Sequence, residues 1–235
     1  MDFGKMLSDS FEYSKNGLFR DIGRWILLFI CLVFHPLWLG YEWKIYKGEP
    51  EMPVLEDWIG MLVNGVKLII VNFVYLLIPI LVFVVSGGLS IVNLLLTNPD
   101  EPIAIATAAI AVAVALMISV VVLFIFALLG VLANVRFART DNFGEAFNFT
   151  AILEHIRKIG WGSYILSLII WFLVLLIALI IAIIICTIVG VILSLIPIVG
   201  IFLTIIEIAI ALILIAPFFG VWATRYITMI YDSAE

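Results

Sequence analysis

Charge is what this chain has least of. Only 12% of its 235 residues are Asp, Glu, Lys or Arg, against about 25% in an ordinary soluble domain. Twelve Lys and Arg stand against 17 Asp and Glu, a formal net charge of −5. Nucleic-acid binding needs a basic footprint, so that partner class is excluded. The acids sit mainly in short connections, not in a tail or patch. Cysteine and histidine number two each. Cys31 and Cys186 both lie in apolar runs, where a thiol behaves as a small hydrophobe, and no spacing resembles a zinc site. Glu154-His155 is half of a metal motif with no second histidine after it. No catalytic, cofactor or metal motif rises above background, so an enzyme or a bound cofactor is not expected. A cleavable signal peptide is not expected either: positions 2–24 are rich in charged and polar residues, the first apolar run begins at Trp25, and no A-x-A-like site follows it.

Apolar residues fill the space. They make up 66% of the chain, with a mean hydropathy of +1.31. The stretch Tyr164–Phe219 runs for 56 residues with one formal charge, Glu207. A helix needs about 20 apolar residues to cross a bilayer, so this stretch is long enough for two passes, with Pro197 and Gly200 supplying the turn. The expected fold is all-α: one polytopic integral membrane domain with four to six membrane segments and amphipathic interfacial helices.

Taken in order, residues 1–20 are a polar approach. Phe3, Met6, Leu7, Ser10 and Phe11 follow helical spacing, which suits a short interfacial helix. The first membrane segment is 22–41. Trp25, Trp38, Tyr41 and Trp43 suit an interfacial belt, and Pro36 cannot donate to the helix ladder, so the segment is either a kinked span or a re-entrant hairpin. Residues 42–66 form the most polar connection, with an amphipathic helix from Val54 to Val66 lying flat on the membrane. The second segment, 67–96, should break at Ser86-Gly87-Gly88. Asp100 and Pro102 then suit a helix start. The third segment, 103–135, carries no charge and at about 50 Å outruns a core of about 30 Å, so it must tilt, kink or project. Its alanines between 103 and 115 should face protein, because small residues let helices approach closely in lipid. Residues 136–163 form a second polar connection with an interfacial helix begun by Asp141 or Asn142 and ended by Arg157 and Lys158. Segments 164–196 and 198–219 follow, with a helical extension to about Tyr231.

Lys and Arg cluster at the N-terminus, in 136–163 and near the C-terminus, and the turns at 97–102 and 195–200 have none. The positive-inside rule puts the first three in the cytoplasm. Four full spans plus a re-entrant first segment fit this best; five simple spans are the alternative.

Glu207 is the one ionisable group well inside an apolar span, where a charge costs about 2.5–3.5 kcal/mol. Its partners in a polar site would be His35, Lys67 and Asn72. A proton or substrate contact along a pathway is one reading; a protonated carboxyl that serves packing is the other. His35 suits a structural bond to a carbonyl freed by Pro36. Ser86, Asn93, Asn134 and Thr187 suit helix–helix hydrogen bonds.

Gly40-Tyr41, Met52-Pro53, Asp57-Trp58 and Gly65 before a long span, followed by Arg136-Phe137-Ala138 and Phe143-Gly144-Glu145-Ala146-Phe147, resemble a prokaryotic, mostly archaeal, membrane family, domain of unknown function 4013. The resemblance covers roughly residues 20–230. It implies a multi-spanning protein of the plasma membrane and carries over no catalytic residues. The two polar connections also suggest a weak internal duplication, Trp58-Ile59-Gly60 paralleling Ile159-Gly160-Trp161. The expected function is a non-enzymatic scaffold, assembly or lipid-organising protein. Its partners are membrane lipids and a second copy or another chain on the Ala-rich 103–115 face. A small transporter or channel using Glu207 is the alternative. An intramembrane enzyme would need convergent polar groups that the sequence only scatters.

Overall fold

The computed structural model describes residues 1–97, 101–196 and 199–234. Helices account for nearly all of them, and no strand occurs among the described residues. The order is α1 (Phe3–Leu18), α2 (Ile22–Val33), α3 (His35–Tyr46), α4 (Trp58–Phe83), a π-helical turn (Val84–Gly88), α5 (Leu89–Thr97), α6 (Pro102–Thr140), a 3-10 turn (Phe143–Phe147), α7 (Phe149–Ile159), α8 (Trp161–Ser194) and α9 (Val199–Asp232). Four helical stretches are long and apolar enough to cross a membrane: Trp58–Leu96, Pro102–Thr140, Trp161–Ser194 and Gly200–Asp232.

The first apolar segment is not among them. It breaks at Phe34 (φ −93°, ψ 75°), and Pro36 opens α3, where its missing N–H costs nothing. Each half has 12 residues, about 18 Å, too short to cross alone. α2 packs beside α3 and α9.

Several boundaries differ from the sequence reading. Residues 58–66 are not a separate flat helix but the first turns of α4, because Asp57 accepts from the Gly60 N–H (3.0 Å) and caps a helix that then runs on without interruption. Val54 and Leu55 stay outside it. The Ser86-Gly87-Gly88 weak point is a π-helical turn, not a full break. α6 begins with Pro102 at its first turn and Glu101 as N-cap; Asp100 and Pro197 fall outside the described residues. The 3-10 turn follows Asn142, which caps it, while α7 is capped by Asn148. The proposed duplication finds no parallel at its marker residues: Gly60 lies within the helical α4, whereas Gly160 sits between α7 and α8 with φ +91°.

The core gathers at one end of the molecule, here called the base. α1 lays Met6, Ser10, Tyr13, Ser14 and Leu18 against α9, so its apolar face is spent on protein. α3 crosses α4 at two glycines: a Cβ on Gly65 would fall 1.7 Å from the Pro36 carbonyl oxygen, and one on Gly40 1.9 Å from that of Met61. Only hydrogen fits there, the small-residue logic of close helix contacts. The last turns of α6 (Leu132, Ala133, Val135, Phe137, Ala138) are buried against this centre, as are Ile152 and Ile156 of α7. The excess length of α6 is thus taken up by the base. Tyr75 donates to the Ala146 carbonyl (2.7 Å), Tyr164 to that of Leu128 (2.6 Å) and Tyr41 to that of Pro53 (2.9 Å). Arg136 pairs with Glu145 and Arg139 with Asp232. His155 stacks on Tyr231 and contacts its carbonyl oxygen through Nε2 (2.9 Å). Both ends of the chain therefore sit at the base, as an even number of spans requires. Eleven of the 12 Lys and Arg lie outside the apolar stretches of the long helices, and the twelfth, Lys67 in the third turn of α4, lies 5.9 Å from the Phe137 ring of the base.

Beyond the base, α4 and α5 pack along α6, and α8 along α9. Of the Ala-rich half of α6, Ala108 and Ala115 are buried, Ala115 against Gly87 of the π turn, while Ala106, Ala109 and Ala113 are exposed. One face of that half meets protein and the other does not.

Candidate functional site

Glu207 projects from α9 onto α8. Its Oε2 lies 3.6 Å from where a Cβ on Gly190 would be, with the Thr204 methyl beside it (3.4 Å). That oxygen is buried and has no hydrogen-bond partner. The residues grouped with it in the sequence go elsewhere. His35 is exposed at the start of α3. Lys67 bonds Asn64 Oδ1 (3.4 Å) and lies 5.9 Å from the Phe137 ring. Asn72 accepts from Asn134 Nδ2 (2.9 Å) between α4 and α6. That amide pair lines a groove of about 250 Å³ with Tyr46, Tyr75 and Phe126. These are three separate places, and none touches Glu207.

A larger concavity lies at the base. It encloses about 660 Å³ between α1, the start of α2, the 50–54 segment and α9, inside the 300–1,000 Å³ range of small-molecule sites. Asp9, Glu12, Asp21 and Glu51 line it together with Arg20, Arg24 and Arg225. Its floor is built locally. Gly17 lets the Met52 side chain sit on α1, since a Cβ there would fall 2.1 Å from the Met52 sulfur. Tyr13 donates to the Glu51 carbonyl (3.3 Å), and burial pushes its phenol up to about 12. Arg225 lies over the Tyr13 ring at 4.6 Å and donates through Nη1 to the Glu49 carbonyl (2.9 Å), while its Nε is buried without a partner. Asp21 is spent as the N-cap of α2, accepting from the Arg24 N–H (3.1 Å). Phe11, Phe19, Trp25 and Phe218 form a ring cluster beside it, and Trp25 Nε1 donates to the Leu214 carbonyl (3.0 Å). The outer face of α2 next to this cleft exposes Ile22, Ile26, Ile30 and Val33.

Behind the cleft, Glu42 of α3 sits deep among α3 and α9 with part of its surface still open. Its Oε1 accepts from Trp38 Nε1 (2.7 Å) and from Thr224 Oγ1 (3.4 Å). The Trp38 indole lies flush on Gly220, where a Cβ would come within 2.4 Å of the ring. Burial raises the Glu42 carboxyl to about 7, against the two hydrogen bonds that lower it.

Sequence reasoning placed Glu42 in a polar loop and used the arginines only for orientation. The i, i+4 spacing of Trp38 and Glu42 is a local signal for the first. Nothing local joins residue 24 to residue 225, which meet because α9 returns to the base.

The residues that carried the family resemblance hold structural positions. Gly40 and Gly65 form the α3–α4 crossing, Tyr41 ties α3 to Pro53, Asp57 caps α4, and Arg136 pairs with Glu145. Neither a curated protein nor a solved structure matches the chain. A family model does, over residues 25–187, and its description is Protein of unknown function (DUF4013). With more than half its length matched, and four apolar helices that fit a multi-pass membrane protein, the chain belongs to the DUF4013 family.

Proposed function

We propose that this protein is a non-enzymatic, lipid-organising protein of the plasma membrane, its base on the cytoplasmic side. The observation that carries this reading is the contrast between the two ends of the molecule. At the base, aromatic and aliphatic side chains form a continuous core. Above it, not one residue of the most apolar 18-residue stretch of α8 is buried, and only 11% of that of α9. An uncovered apolar surface of this extent is stable against acyl chains and not against water. The gathering of every Lys and Arg at the base supports its cytoplasmic placement. An archaeal or bacterial membrane follows only from the family resemblance, and the exposed Ala106, Ala109 and Ala113 are compatible with a further helix docking there.

The test is lipid retention by the purified full chain. Native mass spectrometry through a series of detergent washes should show lipids held until the protein loses helicity, with a melting temperature that drops as they are stripped. A chain that becomes lipid-free with unchanged melting temperature would refute the reading. Transport is the second reading, motivated by the partnerless Oε2 of Glu207. Under it, proteoliposomes show proton or cation flux that Glu207→Gln abolishes; under the lipid-organising reading the wild type shows none.

A further inference from the structure

The geometry points to a headgroup site: we propose that the cleft at the base binds the zwitterionic phosphate-and-amine headgroup of a membrane lipid, its acyl chains lying along the outer face of α2. The inference rests on the lipid-organising reading and specifies the ligand. Three guanidinium groups and four carboxylates line one cavity, yet Arg20, Arg24 and Arg225 form no ion pair among the described residues; the ion pairs found there lie elsewhere. Both signs of charge therefore face the cavity without neutralising one another. Arg225 adds a buried Nε–H with no acceptor, and its position is held by the Glu49 carbonyl and the Tyr13 ring.

A purely anionic ligand would meet the carboxylates of Asp9, Glu12 and Glu51, and a purely cationic one the three arginines. A ligand carrying a phosphate diester and a primary ammonium satisfies both, the phosphate toward Arg24 and Arg225 through charge-assisted hydrogen bonds and the ammonium toward Glu12 and Glu51. The rest of such a lipid also has a place. Ile22, Ile26, Ile30 and Val33 form an exposed stripe at i, i+4, i+8 and i+11 that begins at the cleft rim, where Asp21 and Arg24 stand. Phe19 and Trp25 beside it suit the headgroup level, where amphipathic rings concentrate.

The experiment uses the full chain in nanodiscs with phosphatidylethanolamine, phosphatidylcholine or phosphatidylglycerol, bound lipid being read by native mass spectrometry. Phosphatidylethanolamine should be preferred about tenfold over each of the others, since neither carries the ammonium N–H donors that reach the carboxylates, while all three keep the phosphate. Glu51→Gln should erase most of that preference, and Arg24→Gln should weaken binding of all three lipids about tenfold, both with unchanged melting; neither side chain makes a hydrogen bond or ion pair that the fold needs. Glu12→Gln, on the exposed face of α1, is the second carboxylate probe. Equal or tighter binding of phosphatidylglycerol, a preference that survives Glu51→Gln, or lipid binding that Arg24→Gln leaves at wild-type strength overturns the proposal. Displacement by glycerophosphoethanolamine at the concentration of the lipid itself would assign the cleft to a soluble ligand and overturn the lipid assignment. Lipid retained without headgroup preference overturns the cleft assignment alone; no retained lipid overturns the lipid-organising reading with it.

Discussion

Replacing Gly65 by Ala should destabilise the protein although it places a better helix former in the middle of a helix. At an open helical position that exchange gains about 0.8–1.0 kcal/mol. At Gly65 the new methyl would stand 1.7 Å from the Pro36 carbonyl oxygen and 2.8 Å from the Gly40 nitrogen. Both are backbone atoms, so no rotamer change relieves the overlap. Normal contact is near 3.5 Å, so α3 and α4 must separate by more than 1 Å or slide along one another. A gap of 0.5–1 Å already forfeits a quarter to a half of the dispersion well for each contact it opens. Overpacking of this kind costs about 1–3 kcal/mol, occasionally more, and the obstacle here is backbone on backbone, at the upper end. After the propensity gain, a net loss of about 2 kcal/mol remains, or roughly 4–8 °C in melting temperature for a chain of this size. The assay is thermal unfolding in a fixed detergent by circular dichroism. Gly162→Ala is the control: a Cβ there meets nothing within 4 Å, and stability should rise by a few tenths of a kcal/mol, less than mid-helix because residue 162 is in the first turn of α8. If Gly65→Ala melts at or above the wild-type temperature, the α3–α4 crossing is not as close as described.

Glu42, with its carboxyl raised to about 7 from an ordinary 4.5, binds more proton in the folded than in the unfolded chain between those values. Stability from this group is full below about 4.5 and falls as pH rises through about 7; Glu42→Gln should flatten that slope and raise the melting temperature at pH 8, and an unchanged slope would place the titration elsewhere. Tyr75→Phe removes the buried donor to the Ala146 carbonyl and should cost about 1–3 kcal/mol, read in the same melts; a neutral result would show that carbonyl solvated by another route. Asp57 caps α4 from a left-handed conformation (φ 55°), so Asp57→Asn should be nearly neutral and Asp57→Ala should lose about 1 kcal/mol or more; equal melting of the two variants would argue against the cap.

How much of the fold is legible in the chain follows from the range of each interaction. Hydropathy and helical spacing are sums over neighbours. The runs of 67–96, 103–135 and 164–219 therefore announce long apolar helices, and Pro36 announces the break that splits the first segment at Phe34. Charge placement along the chain is equally local, and by itself it puts both termini and residues 136–163 on one side. Glycine is ambiguous in the same pattern. Ser86-Gly87-Gly88 reads as a break because two glycines weaken a helix, yet the chain passes through in a π turn because the Ala115 side of α6 supports it. Gly65 reads as a helix-weakening residue and is the point of closest helix contact.

Read alone, the chain yields the class of protein, an all-helical membrane protein with four to six membrane segments, and the grouping of its positive charges; the structure makes four of those segments membrane-length helices. Which polar groups share a site follows from the helix packing. Glu207, His35, Lys67 and Asn72 share a rarity in composition and no neighbourhood in space. Arg24 and Arg225 are 201 residues apart and line one cleft because α9 runs back to the base and receives α1 along its last turns. Glu42 reaches Thr224 by the same return. Contacts of that separation depend on how two helices meet, as where Gly220 of α9 admits the Trp38 ring of α3, and no local property of the sequence encodes which residues will face one another there.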